Sequence, residues 1–463
     1  MNGVLIGLSV YVLIQLAIGL YVSRWMRNET DYLLAGKRFG LGIATMSIFA
    51  TWFGSETCIG SSGAVYEEGL SGSKADPFGY TLCLLLMGLV FAVPLYRRQL
   101  TTLGDLFRQR YGGGVEKIAV LVIIPSSLLW AGAQIRAFGH VISASSEIAP
   151  AISIAVAAAV VIVYTSSGGL LADAVTDLIQ GTVLILGLVV VLVVAVYSLG
   201  GIGEAYRGIE PERFTFLRAD GSLLEQMDGW AVPIFGSVLA QELISRTLAS
   251  RNESIARNAA LSGAAVYFCV GSIPVILGLL GPALMPDLED PEQLLPSVAM
   301  NLLHPVLYVV FAGALISAIL STVDSALLAA SALTSHNIIV PLRKNMTERH
   351  KVRAARYCVV AFGVLAYLFA IREGSVYEQV EEASAFGSAG ILVVGVFALF
   401  TRFGGKLAAG AALITGSISY LIASYTFELG YPYITAIVSS LAVYCLFAPF
   451  GKGLTQEFEP KSA

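Results

Sequence analysis

Apolar runs of about 20 residues recur along nearly the whole chain, parted by short segments that hold most of the charge. In lipid, backbone N–H and C=O groups must be satisfied within the protein, so runs of this length read as spanning helices. Composition agrees. Of 463 residues, 56% are hydrophobic and 13% charged, with a mean hydropathy of +0.77, whereas a soluble domain carries about a quarter charged residues. The expected class is all-α and polytopic, with about thirteen transmembrane helices. Their approximate limits are 3–23, 41–68, 77–96, 116–142, 149–165, 171–199, 229–247, 257–282, 304–332, 354–371, 379–401, 405–426 and 431–449. The run from Val4 lacks a basic lead and continues into Arg24 and Arg27, so it reads as a first span and not a cleaved signal. Cys58, Cys83, Cys269, Cys358 and Cys445 lie singly in apolar stretches and are expected as buried small hydrophobes, with no disulfide or metal framework.

Charge placement orients the chain. Of the 28 Lys and Arg residues, 22 fall in alternate loops, chiefly 24–38, 97–117, 246–257 and 343–356. The opposite loops hold only Lys74, Arg207, Arg213, Arg218 and Arg372, and Arg136 lies inside a span. The amino terminus is therefore expected outside and the carboxy terminus in the cytoplasm, in the plasma (inner) membrane.

Two spans break the apolar pattern. The second carries Gly54, Ser55, Glu56 and Thr57 at its middle, followed by Gly60, Ser61, Ser62 and Gly63. A Gly/Ser-rich break at membrane depth is tolerated where it lines a cavity or packs in protein, and such breaks place free carbonyls at a midplane ion site. The ninth span crowds Ser317, Ser321, Thr322, Asp324 and Ser325 into two turns. Sodium is a hard cation that takes oxygen ligands, and these hydroxyls with carbonyls of a broken neighbour would supply them. The alternative is that they bond back to their own helix or join helices.

Ionisable residues inside a span are functional by default. Asp177 and Asp324 are the deepest such carboxylates, with Asp173 expected nearer the cytoplasmic edge. Glu56 and Arg136 either pair with each other or grip the amine and carboxylate of a zwitterion. Glu242 precedes Arg246 by four residues, the spacing of a local helix ion pair. Asp76 precedes Pro77 and reads as a helix N-cap.

The order and spacing of these motifs resemble the sodium:solute symporter family over nearly the whole length. The supporting stretches are DYLLAGKR (31–38), the broken second span, SSGGLLADAVTDLIQG (166–181), SRTLAS (245–250) and SAILSTVDSALLAAS (317–331). The resemblance implies two inverted five-helix repeats of the LeuT-like type, at about 41–199 and 229–401, with peripheral helices 3–23, 405–426 and 431–449. It implies a sodium site at the carbonyls of Ala50, Phe53 and Ala318 and the hydroxyls of Ser321 and Thr322. It also implies a possible second cation site at Asp177, Ser325 and Asp324.

Within the family, ATWFGSETCIGSSGAVY, DPFGYTLCL and LLWAGAQIRAFG resemble the high-affinity choline transporter group. Trp52, Tyr80 and Trp130 match positions that cage a quaternary ammonium there, by cation–π attraction of about 2 kcal/mol when desolvated. Ser55, Glu56, Thr57 and Arg136 complete the substrate candidates. The chain departs from that group at Ala240, where a further cage tryptophan would stand, and at Glu56 and Arg136, where that group is neutral. The same Ala240 replaces the asparagine of sugar transporters. The implied activity is sodium-coupled import of a small organic solute, either a quaternary amine or a zwitterion, with a carboxylate or amino acid as the alternative. The implied partners are the solute, Na+ and the lipid bilayer, with no nucleic acid. An intramembrane enzyme is the competing class, but no HExxH or GxSxG motif occurs. A transporter-like sensor is another, though little sequence follows the last span.

Overall fold

The computed structural model describes residues 3–144, 148–216, 222–343, 345–371 and 375–450. Arg218, Lys344, Arg372, Lys452 and Lys461, used above for orientation, lie outside them. Among the described residues the chain is helical throughout, with one isolated bridge between Phe39 and Ser250.

Among the described residues, nine helices are long and apolar enough to cross a membrane, and two apolar helices, Ser9–Ser23 and Leu41–Trp52, are shorter. Each of the thirteen apolar stretches falls on helix, but the boundaries differ in instructive ways. The fifth and sixth form one element, Pro150–Ser198, interrupted only at Gly169, whose φ of 59° is open to glycine without strain. The eleventh splits into Val376–Ala385 and Ser388–Phe400 at Gly387. Many apolar side chains point outward: Leu13, Leu121, Leu186 and Val193 are all more than 60% exposed. Such a surface is what a lipid solvent accepts and water does not.

The first broken helix runs Leu41–Trp52, stops at Phe53 and resumes through Glu56–Gly60 into Ser61–Glu68. A second break was not expected. The seventh span divides into Leu223–Ala231 with Val232–Gly236, a non-helical stretch to Ala240, and Gln241–Leu248. Pro233, Gly236 and Ser237 were its sequence signal.

Contacts sort the loops to two ends of the molecule. At one end Lys37 donates to Gln99 at 2.9 Å, Arg97 pairs with Glu253 at 2.6 Å, and His336 lies between Glu29 and Asp105 at 2.9 and 3.4 Å. Lys351 pairs with Glu29 at that end as well, at 3.4 Å. Burial raises the Asp105 carboxyl, but the hydrogen bond and charge of His336 outweigh it and hold it below its ordinary range. At the other end Arg213 donates to the Val65 and Tyr66 carbonyls at 2.7 Å, and the Val376 N–H donates to Glu292 at 3.0 Å. The loops in these contacts group as the charge pattern expected, apart from one residue. Arg246, counted with the basic loop 246–257, is 1% exposed in the core. Of the cysteines, Cys58, Cys83 and Cys358 are buried as expected, but Cys269 and Cys445 are exposed on outward helix faces; all five are free.

Candidate functional site

The first break exists because its backbone finds side-chain partners. The Phe53 N–H closes onto Phe49 O at 2.9 Å, and Phe53 then leaves helical geometry at φ −92°, ψ 71°. The Ser55 N–H and Oγ both donate to Gln134 Oε1, at 3.0 and 2.9 Å. The Gln134 amide donates to Glu56 Oε2 at 2.5 Å. One buried glutamine therefore satisfies a helix end that would otherwise cost about 1–3 kcal/mol per unmade bond.

Three rungs join this broken helix to the Pro305–Thr334 helix. Ser47 Oγ donates to Asp177 Oδ2 at 2.7 Å, while Ser321 Oγ donates to Asp177 Oδ1. Thr51 and Ser325 hydroxyls lie 3.4 Å apart. At the break, a methyl group on Gly54 would stand 2.9 Å from Thr322 Oγ1, so Thr322 lies directly against the non-helical turn. Ala50, Phe53 and Ala318 are all buried. Thr322 Oγ1 also donates to Ala318 O at 3.2 Å, and Ser325 Oγ to Ser321 O at 2.7 Å. The back-bonding weighed above is thus present, and it clusters the oxygens proposed as ligands.

Beneath these rungs lies Arg246. Its guanidinium contacts Asp173 at 2.5 Å, Asp177 at 3.7 Å and Ser325 Oγ at 2.5 Å, with further donations to Ser47 O and Glu242 O. Asp173 is buried in protein. Asp324 accepts from Thr165 Oγ1. The local ion pair expected between Glu242 and Arg246 is absent: Glu242 Oε1 accepts from Ser127 Oγ at 2.7 Å, and the arginine reaches only its backbone carbonyl. The four-residue spacing was right for a pair, but two carboxylates on another helix offer a fork-shaped donor a better fit.

The substrate candidates divide. Trp52 and Trp130 pack edge to face with centroids 5.5 Å apart. Tyr80 is buried with its hydroxyl 2.9 Å from Ser384 Oγ. Trp130, Ala240 and Glu242 line a small cavity of about 30 Å³. Arg136 stands apart from Glu56. It lines a larger cavity of about 670 Å³, which Ile59 and Gly60 also line and Glu56 does not. Glu56 instead gives its carboxylate to Gln134, so the expected Glu56–Arg136 partnership is replaced. Six carboxylates, among them Glu67, Asp290, Glu292 and Glu381, line the larger cavity against Arg136, Lys74 and His140. Burial pushes the Glu292 carboxyl above its ordinary range, against the pull of the Tyr377 and Val376 N–H groups.

Asp76 is not an N-cap. It is fully buried, and its Oδ1 accepts from Thr57 Oγ1 at 2.9 Å and from Tyr267 OH. The backbone does leave helical geometry at Asp76, at φ −116° and ψ 126°, but the carboxylate turns to Thr57 and Tyr267 and not to the N–H groups of the following turn. Gln134, Tyr267 and Arg246 were also missed. Gln134 and Arg246 are polar residues on apolar helices, and the rule applied to Asp177 would have found them.

A sequence model of the "Sodium:solute symporter family" matches residues 32–416. The high affinity choline transporter 1 of Homo sapiens is 28% identical over 399 residues, covering 81% of this chain and 68% of that protein. The sodium/pantothenate symporter of Escherichia coli (strain K12) is 24% identical over 476 residues, covering 98% of each. A substrate-bound, outward-open Na+-coupled sialic acid symporter superposes with a TM-score of 0.83 at 18% identity, over 96% of this chain and 97% of that one. A closed transporter of the nucleobase-cation-symport-1 family gives 0.63 at 14% identity, over 92% and 95%. The fold is that of LeuT-like transporters, the relatives are transporters and not enzymes, and the chain belongs to the sodium:solute symporter family.

Proposed function

We propose that the chain imports a small organic solute into the cell together with sodium, across the plasma (inner) membrane. The observation that carries this is the meeting of a broken helix, Gly54 at its turn, with the Thr322 hydroxyl. Sodium is bound by the carbonyls of Ala50, Phe53 and Ala318 and the hydroxyls of Ser321 and Thr322, because a hydrocarbon interior offers no oxygens except those the protein provides. Asp177, held against Ser321, adds negative charge to the site. A second cation, if carried by Asp177, Ser325 and Asp324, shares Ser325 with Arg246. The solute is held between Trp52, Trp130, Tyr80 and the polar break at Ser55, Glu56 and Thr57. It enters through the acidic cavity, which raises the local concentration of cations, and Arg136 acts there as an entrance residue. Two repeats, about 41–199 and 229–401, each open with a broken helix, which favours the inverted-repeat reading. The end holding Asp290 and Glu292 faces outward and the end holding His336 and Lys351 faces the cytoplasm.

The test is uptake into proteoliposomes of labelled choline, betaine, pantothenate and amino acids under an inward sodium gradient. At least one solute should accumulate with sodium and not with potassium. Accumulation indifferent to sodium for every solute would remove the reading. Impermeant labelling on intact cells of cysteines placed at Glu289 and at Arg349 tests the orientation; the first should react and the second should not.

A further inference from the structure

Two buried carboxylates beside the first break have no basic partner. Among the described residues, neither Glu56 nor Asp76 forms an ion pair, although they are 1% and 0% exposed. Asp76 Oδ1 is filled by Thr57 and Tyr267, whereas Asp76 Oδ2 is buried with no hydrogen-bond partner. Trp52 Nε1, in the adjoining aromatic wall, is likewise buried and unpartnered. Burying a carboxylate without a cation or full hydrogen bonding is costly. The surrounding aromatics, Trp52 against Trp130 and Phe53 against Tyr267 at 5.7 Å, suit an organic cation better than a bare metal ion, which wants a closed oxygen shell.

We propose that Asp76, with Glu56, forms an ammonium-binding site that selects solutes whose nitrogen still carries hydrogen. A free carboxylate oxygen rewards a donated N–H, which a quaternary ammonium lacks. The unpartnered Trp52 indole N–H takes an oxygen on the same solute. The solute is then a primary or secondary amine bearing a hydroxyl or carboxylate, reached past Gly60, which lies against the Tyr377 ring in the wall of the acidic cavity.

This inference rests on the symporter reading but fails separately from it. The probes are ethanolamine, N-methylethanolamine, N,N-dimethylethanolamine and choline, a series that removes N–H groups one by one and keeps the charge. Binding to the purified full chain is measured by calorimetry with and without sodium, for wild type, Asp76→Asn and Glu56→Gln. In wild type, affinity should fall along the series, by roughly tenfold or more from ethanolamine to choline. In Asp76→Asn, which keeps an acceptor for Thr57 and Tyr267 but puts a donor in place of Oδ2, the series should become flat. Choline binding as tightly as ethanolamine in wild type would overturn the proposal. So would an Asp76→Asn variant that alters only sodium dependence and keeps the order of the amines. If no amine binds while another solute is carried with sodium, this inference alone falls.

Discussion

Two buried acidic regions contact the first broken helix, and they are neutralised differently. Asp173 and Asp177 meet a guanidinium, Arg246, drawn from the second broken helix, and Asp324 beside them accepts from Thr165. Glu56 and Asp76 meet only amide, hydroxyl and aromatic groups. The first region has its cation built in and ties four helices together. The second leaves its charge to be met by something that arrives. On the proposed reading, the difference separates a framework for coupling from a receptor for cargo, although both are built on buried carboxylates.

The sharpest way to break the comparison is Arg246→Met. It strands the carboxylates of the first region and should destabilise the protein by about 3–5 kcal/mol. Thermal unfolding in detergent reads this, and Arg246→Lys should lose less, since the charge remains without the fork. A melting point unchanged by Arg246→Met would mean that those carboxylates are neutral without it. Gly54→Ala comes next. Its methyl group would sit 2.9 Å from both Thr322 Oγ1 and Gln134 Oε1, an overpacking that costs about 1–3 kcal/mol and should impair sodium binding along with stability. The smallest effect on stability belongs to Glu56→Gln. It keeps an acceptor for Gln134 and should change stability by less than about 1 kcal/mol, yet it should cut uptake of a cationic solute. Because Arg136 lines the larger cavity and Glu56 does not, adding Arg136→Gln should not restore what Glu56→Gln loses. Restoration in the double variant would mean the two residues do act as a pair.

How far the sequence could be read follows the same line. The apolar runs showed the spans, and the oxygen-rich stretch at Ser321–Thr322–Ser325 with the Gly54–Ser55 break showed the two elements that meet. Their meeting was implied only by resemblance, since spacing along a helix says nothing of which neighbour it faces. Arg246 misled because a basic residue near a span end reads as a topology signal, and only tertiary packing reveals carboxylates within its reach. Asp76 misled because Asp-Pro commonly starts helices at an edge. The break at 237–240 was missed because Pro233 and Gly236 are tolerated in membrane helices without one.

The central claim is that the Thr322 hydroxyl, lying against the Gly54 turn, is a sodium ligand. The direct measurement is the external sodium concentration giving half-maximal uptake in proteoliposomes, for wild type, Thr322→Ala and Ser321→Ala. Loss of one buried oxygen ligand should cost roughly 1–3 kcal/mol, which raises that concentration about 5- to 150-fold, while solute affinity at saturating sodium changes little. Folded, active variants with the wild-type sodium dependence would place the coupling site elsewhere and contradict the account.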